Sequence, residues 1–192
     1  MGDLVLKGAT SGQITLSPVG TAGTNTLTLP AKTGNIITSA DSGTVTQTML
    51  GTNVAGNGPV FNAYQSSAQT ALSVGVATKI LFQTTTFNAN SNYSTANSRF
   101  TASIAGKYQF NAAIYVASTA CRVLIQINRD GILYQTGQDS GPSANVYAGT
   151  LSTLVDLTVG QYVEIYALFG VSQAPSTGNA YTWFNGALVG AA

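Results

Sequence analysis

The residue types that carry most enzyme chemistry are scarce in this sequence. The chain has no histidine, which excludes Ser-His-Asp triads, Cys-His pairs and histidine-bearing metal sites. The carboxylates are Asp3, Asp41, Asp130, Asp139, Asp156 and Glu164. They are too few and too dispersed to predict a glycosidase pair or a cofactor site. We therefore predict that the protein is not an enzyme, and an acid pair assembled across strands is the one route left open.

Charge is equally sparse. Charged residues make up 7% of the chain, against about 25% in an average soluble protein. The seven Lys and Arg residues are scattered and the net charge is +1, so no basic stripe exists and no nucleic-acid partner is predicted. A surface with little charge and a positive mean hydropathy risks aggregation unless assembly covers much of it. The composition therefore predicts an oligomer.

The sequence predicts neither membrane insertion nor export. No run approaches the roughly 20 apolar residues of a spanning helix. The first residues, MGDLVLKGATSG, lack the basic region and the apolar run of a secretory signal, which favours synthesis in the cytoplasm and delivery by assembly. The single cysteine, Cys121, is in register with Val123 on a predicted strand, so we expect it to be a small buried apolar residue.

The aromatic residues divide the chain into two parts, because all of them lie at or after Phe61. Residues 1–59 contain short β-forming patches, namely Leu4-Val5-Leu6, Ile14-Thr15-Leu16, Leu27-Thr28-Leu29 and Ile36-Ile37. Alone, such a segment cannot bury enough apolar area to order itself, so it is either a disordered linker or ordered by sister chains or a partner. The regular spacing of the patches favours ordering. We predict an extended, β-rich anchoring segment at 1–59 and one head at 60–192.

From Phe61 onward apolar residues alternate with polar ones, which predicts strands with one buried face. Residues 107–116 form one long strand, and the strand at 121–128 leads through the turn Asp130-Gly131 into another at 132–134. Further strands are predicted at 60–66, 78–84, 99–104, 145–159, 161–169 and 180–189.

Two of these strands are apolar on both faces. The strand at 161–169 has Ile165 on one face and Tyr166 on the other, and the last strand has Trp183 and Phe184 on opposite faces. A sandwich of two sheets buries only one face of each sheet. The second apolar face is therefore expected to be covered by another subunit.

A spaced set of residues in the head carries a family resemblance: Phe82, Asn88, Tyr93, Phe100, Gly106, Tyr108 and Phe110. This spacing resembles the signature of the globular head of complement component 1q, in the tumour-necrosis-factor-like jelly-roll superfamily. Ala112 stands where that family usually has a further aromatic residue. The stretches 154–160 and 184–189 are similar to later strands of the family, although Gln161 stands where an Asp is usual. Together they cover about residues 60 to 189.

The resemblance implies an all-β, ten-strand jelly-roll sandwich that assembles as a homotrimer. In that family the sheet with the first, last and central strands faces the threefold axis. By position, the candidates for the trimer interface are Phe61, Tyr64, Tyr166 and Phe184. Ordinary intrachain core is the alternative for each of them. The head core is expected to contain Phe82, Phe100, Tyr108, Phe110 and Trp183.

A second resemblance lies near the N-terminus. The stretches 27–30 and 34–39 are similar to N-terminal parts of phage fibre and other virion structural proteins. This implies a trimeric structural protein on a virion, either a capsid decoration or a short fibre, anchored by residues 1–59. Its expected partners are its own copies and other virion proteins.

Two small, polar, turn-rich stretches, at 137–144 and 171–179, point to an alternative function. Within them the candidates for recognising a host-surface glycan or protein are Gln138, Asp139, Ser140, Gln173 and Ser176. The head would then be a receptor-binding or lectin-like tail-fibre tip. Solvent-facing connections are the other interpretation of these loops. A secreted bacterial adhesin is a third hypothesis, which the missing export signal disfavours.

Overall fold

A computed structural model of the chain describes residues 4–7, 13–16, 57–117, 121–140 and 147–192. The chain divides into two compact units, Met1–Asp41 and Ser42–Ala192. In the first unit, strand β1 (Leu4–Lys7) pairs antiparallel with strand β2 (Gln13–Leu16). Two of the predicted β-forming patches therefore pair with each other, and the patches at 27–29 and 36–37 lie outside the described residues.

The second unit consists of two antiparallel sheets that face each other. Its described strands are β3 (Val60–Tyr64), β4 (Thr78–Lys79), β5 (Thr84–Ala89), β6 (Tyr93–Ser94), β7 (Arg99–Thr101), β8 (Gly106–Val116), β9 (Val123–Arg129), β10 (Ile132–Ser140), β11 (Tyr147–Leu157), β12 (Tyr162–Phe169) and β13 (Trp183–Ala191). The five-stranded sheet has the order β11, β8, β13, β3, β5. The six-stranded sheet has the order β10, β9, β12, β7, β6, with β4 paired to β12. Among the described residues, none belongs to a helix with the length and hydropathy of a transmembrane span.

The core between the sheets follows from the alternation of apolar residues along the strands. On β8, Tyr108 and Phe110 are fully buried, whereas Lys107 is exposed. On β12, in the opposite sheet, Val163 and Ile165 are also fully buried. Because each sheet turns one apolar face away from water, this layer is the main source of the hydrophobic stabilisation of the head.

Phe61 lies at the centre of an aromatic cluster inside the sandwich. Its ring stacks on Tyr93 and Phe100, with centroid distances of 4.7 and 5.2 Å, and meets Phe184 edge-on at 4.9 Å. Phe61 and Phe184 are 1% and 0% exposed. Their assignment to the trimer interface is therefore wrong, because both side chains point into the sandwich of their own chain, where a second copy cannot contact them.

Trp183 is the one predicted core residue that lies outside the core. Phe82, Phe100, Tyr108 and Phe110 are each fully buried. Trp183 directly precedes the buried Phe184 on β13, so it points to the opposite side of the sheet and remains partly exposed. The alternation of side chains along the strand thus excludes one of these two neighbours from the core.

The remaining residues of the signature shape the backbone around the aromatic cluster. The Asn88 amide donates to the carbonyl oxygen of Tyr93 at 2.8 Å, and its Oδ1 accepts from the Tyr93 backbone N–H at 3.1 Å. The Tyr93 hydroxyl donates to the carbonyl oxygen of Phe82, and burial raises the pKa of this phenol well above its ordinary value. Gly106 leaves no room for a side chain, since a Cβ there would lie 2.4 Å from the carbonyl oxygen of Gly190.

The predicted hairpin turn at Asp130-Gly131 is confirmed. Both residues have a positive φ, 52° and 78°, as a two-residue type I′ turn requires. Beyond the turn, β10 continues to Ser140, whereas the predicted strand ended at residue 134. Strands β5 and β6 also go beyond the prediction.

The length of β10 corrects the position of three recognition candidates. Gln138, Asp139 and Ser140 lie on this strand, with Asp139 opposite Leu124 and Ser140 opposite Val123. Their assignment to a loop is wrong, because the backbone there pairs with β9 although its side chains are polar. The rest of that predicted loop, residues 141–144, lies outside the described residues.

Cys121 precedes β9 and belongs to the core. It is 0% exposed, and its thiol donates to the carbonyl oxygen of Arg122 at 3.2 Å. It therefore occupies the position of a small buried apolar residue, as the register with Val123 predicts.

Candidate functional site

The outer face of the five-stranded sheet is here called the assembly face. Its side chains lie in rows of cross-strand neighbours, here called levels, which the strand register defines. At the first level Trp183 lies between Tyr64 and Ala113. The side chains of these three residues point away from the core, because their neighbours along each strand point into it. Tyr64, an interface candidate from the sequence, thus lies beside the Trp183 that the core prediction misplaced.

The second level of the assembly face consists of amides. Asn185 lies between Asn62 and Asn111, and Asn111 lies opposite Ser152 on β11. The Asn111 amide donates to Asn185 Oδ1 at 3.1 Å, and the Ser152 hydroxyl donates to Asn111 Oδ1 at 2.9 Å. Asn62 donates to the hydroxyl of Thr86 at 2.8 Å. These bonds hold the amides in fixed orientations across the sheet.

The third level returns to mostly apolar side chains. Ala187 lies between Val60 and Gln109. A shallow depression of about 340 Å³ covers the second and third levels, and Phe87, which is 51% exposed, forms one of its walls. No side chain of these three levels on β3, β8 and β13 is charged. The first charges come at the next level, where Lys107 lies opposite Asp156.

The outer face of the six-stranded sheet is different because it carries a group of charges. Glu164 is only 3% exposed, and its Oε1 accepts from Lys79 Nζ at 2.7 Å and from Arg99 at 2.8 Å. The Arg99 guanidinium lies 3.6 Å from the centroid of the Tyr162 ring. The Tyr166 hydroxyl donates to Glu164 Oε2 at 3.3 Å.

This cluster decides two points about the site. Burial of Glu164 raises its pKa, but the hydrogen bonds and charges of Lys79 and Arg99 outweigh that effect, so the pKa lies below its ordinary value. Tyr166 belongs to this polar cluster and to the sheet that lacks the first, central and last strands. The position on which its assignment to the trimer interface rested is therefore corrected: Tyr166 does not lie on the sheet that carries Tyr64.

The other two recognition candidates lie between β12 and β13, as predicted. The carbonyl oxygen of Gln173 accepts from the Leu72 backbone N–H at 2.8 Å. The Ser176 backbone N–H donates to the carbonyl oxygen of Tyr115 at 2.8 Å. Beside Ser176 lies Tyr181, 48% exposed, which the sequence analysis did not single out. An aromatic residue directly after the turn-rich stretch at 171–179 is the signal that would have found it.

Among the residues that the structure describes, no three His, Cys, Asp or Glu side chains approach closely enough to hold a metal ion. What the geometry offers is contact surface: an uncharged assembly face, a charged cluster on the other sheet, and a hydroxyl-rich loop at one end.

Comparison with known proteins supports the fold reached from the sequence. A family model described as the C1q domain matches residues 60–189. The chain belongs to the C1q domain family. The globular domain of zebrafish complement 1qA is 16% identical, with a TM-score of 0.55 over 70% of this chain and 99% of that one. No curated protein matches the chain.

Two structures of murine APRIL resemble this C1q domain as well. At pH 5.0 the identity is 10% and the TM-score 0.53, and at pH 8.0 they are 7% and 0.51. Each match covers 68% of this chain and 98% of the APRIL chain. At such low identities these likenesses show the fold alone.

Proposed function

We propose that this protein is a non-enzymatic structural protein that forms a homotrimer through its assembly face and is displayed on a virion. The observation that carries the proposal is the composition of that face. Tyr64, Trp183 and Ala187 belong to an uncharged surface. Because the chain contains few charged residues, part of its surface is expected to be covered by other subunits. Domains of the C1q family often assemble as trimers.

The amide level suits such an interface. A purely apolar face associates in many registers, whereas fixed polar groups that must be paired across an interface favour one arrangement. Asn111 and Asn185 already bond to each other, so the cost of burying them against further copies is reduced.

Light scattering of the full chain tests the trimer. We expect a mass three times that of the 19.6 kDa chain. Ala187→Arg places a charge in the middle of the assembly face and should yield folded monomers. Val159→Arg is the matched control, because Val159 is 66% exposed in the turn after β11, and it should leave the trimer intact. A monomeric wild-type protein contradicts the proposal.

The proposed anchor is the N-terminal segment. Its resemblance to the N-terminal parts of virion proteins supports attachment to a particle, as a capsid decoration or a short fibre, after synthesis in the host cytoplasm. Deletion of residues 1–56 tests this and keeps Pro59, whose carbonyl oxygen accepts from the Leu188 backbone N–H at 3.0 Å. We expect a head that still trimerises and no longer binds particles. Particle binding by this truncated chain contradicts the anchor.

A receptor-binding or lectin-like tip is the second candidate function. The exposed Tyr181 beside Ser176, in the loop before β13, favours it. Electron microscopy of labelled particles separates the two functions. Heads arrayed over the shell support the structural role, and heads confined to the tail support receptor binding.

A further inference from the structure

A groove lies at the end of the sandwich where β8 ends and β13 begins. Its main wall is a pair of tyrosines, Tyr115 and Tyr181, whose ring centroids are 5.1 Å apart at an interplanar angle of 40°. The groove has a volume of about 440 Å³, and its other lining residues are Ala68, Ala117, Pro175, Ser176 and Thr177. That volume lies within the roughly 300 to 1,000 Å³ of small-ligand sites.

The loop that carries half of the groove is fixed by backbone hydrogen bonds. Ser176 donates its backbone N–H to Tyr115, and its hydroxyl oxygen accepts from the Ala117 backbone N–H at 3.2 Å. Gly178 donates to the carbonyl oxygen of Gln65 at 2.7 Å, and Tyr181 donates back to Gly178 at 3.1 Å. A loop held in this way presents its side chains without a large ordering cost when a ligand binds.

The chemistry of the lining is that of a neutral, hydroxyl-bearing ligand. The exposed Tyr181 ring supplies an apolar surface, and the lining residues contain no charge. Hydroxyl groups come from Tyr115, Tyr181, Ser176 and Thr177. The Ser176 oxygen already accepts a hydrogen bond, so its own proton is available to a ligand. A pyranose fits this combination, because one face of its ring is a sheet of C–H groups and its rim carries hydroxyls.

We propose that this groove binds a neutral saccharide, with the sugar ring packed on Tyr181 and its hydroxyls bonded to Ser176 and Thr177. Acidic glycans are disfavoured because none of the described residues that line the groove is a cation. Strand register places Tyr115 and Tyr181 beyond Tyr64 and Trp183, whereas the chain enters the sandwich at Val60. The groove is thus at the end of the head farthest from that entry point. The proposal of a saccharide site rests on the second candidate function, a receptor-binding or lectin-like tip.

Titration of the full-length protein with methyl glycosides of glucose, galactose, mannose and N-acetylglucosamine, followed by NMR, tests the proposal, with sialic acid as the acidic probe. We expect at least one neutral glycoside to shift the resonances of Tyr115 and Tyr181. Tyr181→Ala should weaken binding about tenfold, whereas Tyr181→Phe, which keeps the ring, should change it less than about threefold. Tyr134→Ala is the matched control, because Tyr134 is 40% exposed on β10 outside the groove.

Either of two kinds of result overturns the proposal. One is that no neutral glycoside binds at millimolar concentration, whether or not sialic acid does. The other is a Tyr181→Ala variant that loses the trimer in light scattering while no glycoside binds, which makes the groove part of the subunit interface. In either case the trimer mass and the location of the heads on the particle are measured separately, so the proposed structural function is judged on its own.

Discussion

Glu164 is a nearly buried carboxylate that two cations compensate. Its Oε1 accepts from Lys79 and Arg99, whose side chains are 25% and 33% exposed. Glu164→Gln leaves both cations without their counterion. We expect the free energy of unfolding to fall by about 2 kcal/mol, less than for a fully buried pair because both partners are partly solvated. Urea unfolding measures the loss, and Asp156→Asn, at an exposed carboxylate, should change stability by less than about 0.5 kcal/mol.

The pH dependence of the free energy of unfolding tests whether the ion pairs of Glu164 with Lys79 and Arg99 cause this loss. The pKa of Glu164 in the folded protein lies below its ordinary value of 4.5, so its contribution is complete above that value and is lost as the pH falls through the lower one. The stability difference between wild type and Glu164→Gln should therefore be largest at neutral pH and shrink in acid. A difference that does not change down to strongly acidic pH contradicts the electrostatic explanation.

Gly186, in the closing stretch that resembles the family, has a packing reason. A Cβ at this position would lie 2.4 Å from Cδ1 of the fully buried Phe110 ring. We expect Gly186→Ala to destabilise the head by about 2 kcal/mol through overpacking. Gly190→Ala, on the same strand with open space around its Cβ, is the control. Thermal unfolding compares the two, and equal melting temperatures contradict this reason.

The β9–β10 hairpin is fastened to β12 through its turn. Asp130 has a φ of 52°, and its carboxylate accepts from the backbone N–H of Tyr162 at 3.0 Å and from the Gln161 amide at 2.8 Å. Asp130→Ala loses both bonds and tolerates a positive φ poorly, so we expect a cost of about 1 to 2 kcal/mol. Asp130→Asn keeps an acceptor and the preference for positive φ, and denaturant titration should show less than half that loss.

Strands with regular alternation could be predicted from the sequence, and strands held by distant partners could not. The long strand β8 follows from its alternation alone. The Thr-rich sequence of strand β5 shows no such alternation. It forms a strand because it pairs with β3 through nonlocal hydrogen bonds. Gly137 suggested a loop, yet in β10 it permits close packing, since a Cβ there would lie 2.6 Å from a methyl carbon of Ile125. The sequence analysis interpreted Gly137 as a turn residue, whereas its missing side chain allows neighbouring strands to pack closely against it.

At the level of the whole head, the sequence predicted that apolar faces need a cover but not which side chains form them. Phe184 and Trp183 are neighbours of similar size, and only the parity of β13 decides which one enters the core. Tyr166 looked apolar on its strand, yet it bonds to a carboxylate whose partners come from β4 and β7. Such groupings depend on the order of strands in the sheets, which alternation along one strand does not contain.

The composition of the assembly face predicts how the proposed trimer responds to salt. Its three levels carry no charge, and the pair Lys107 and Asp156 lies one level away. Screening by salt weakens charge pairs but not apolar contacts. We expect the trimer dissociation constant, measured by sedimentation, to change less than about twofold between low and high ionic strength. A trimer that dissociates as salt rises contradicts an interface centred on these levels.

Because Cys121 is buried, the reactivity of its thiol reports local opening of the sandwich. A thiol that is 0% exposed cannot meet a bulky aromatic disulfide reagent until the two sheets part locally. Since this is the single cysteine of the chain, the labelling rate reads the frequency of that event without any engineered probe. Ligands or subunit contacts that restrain the sandwich will slow the reaction, and weakened variants will speed it.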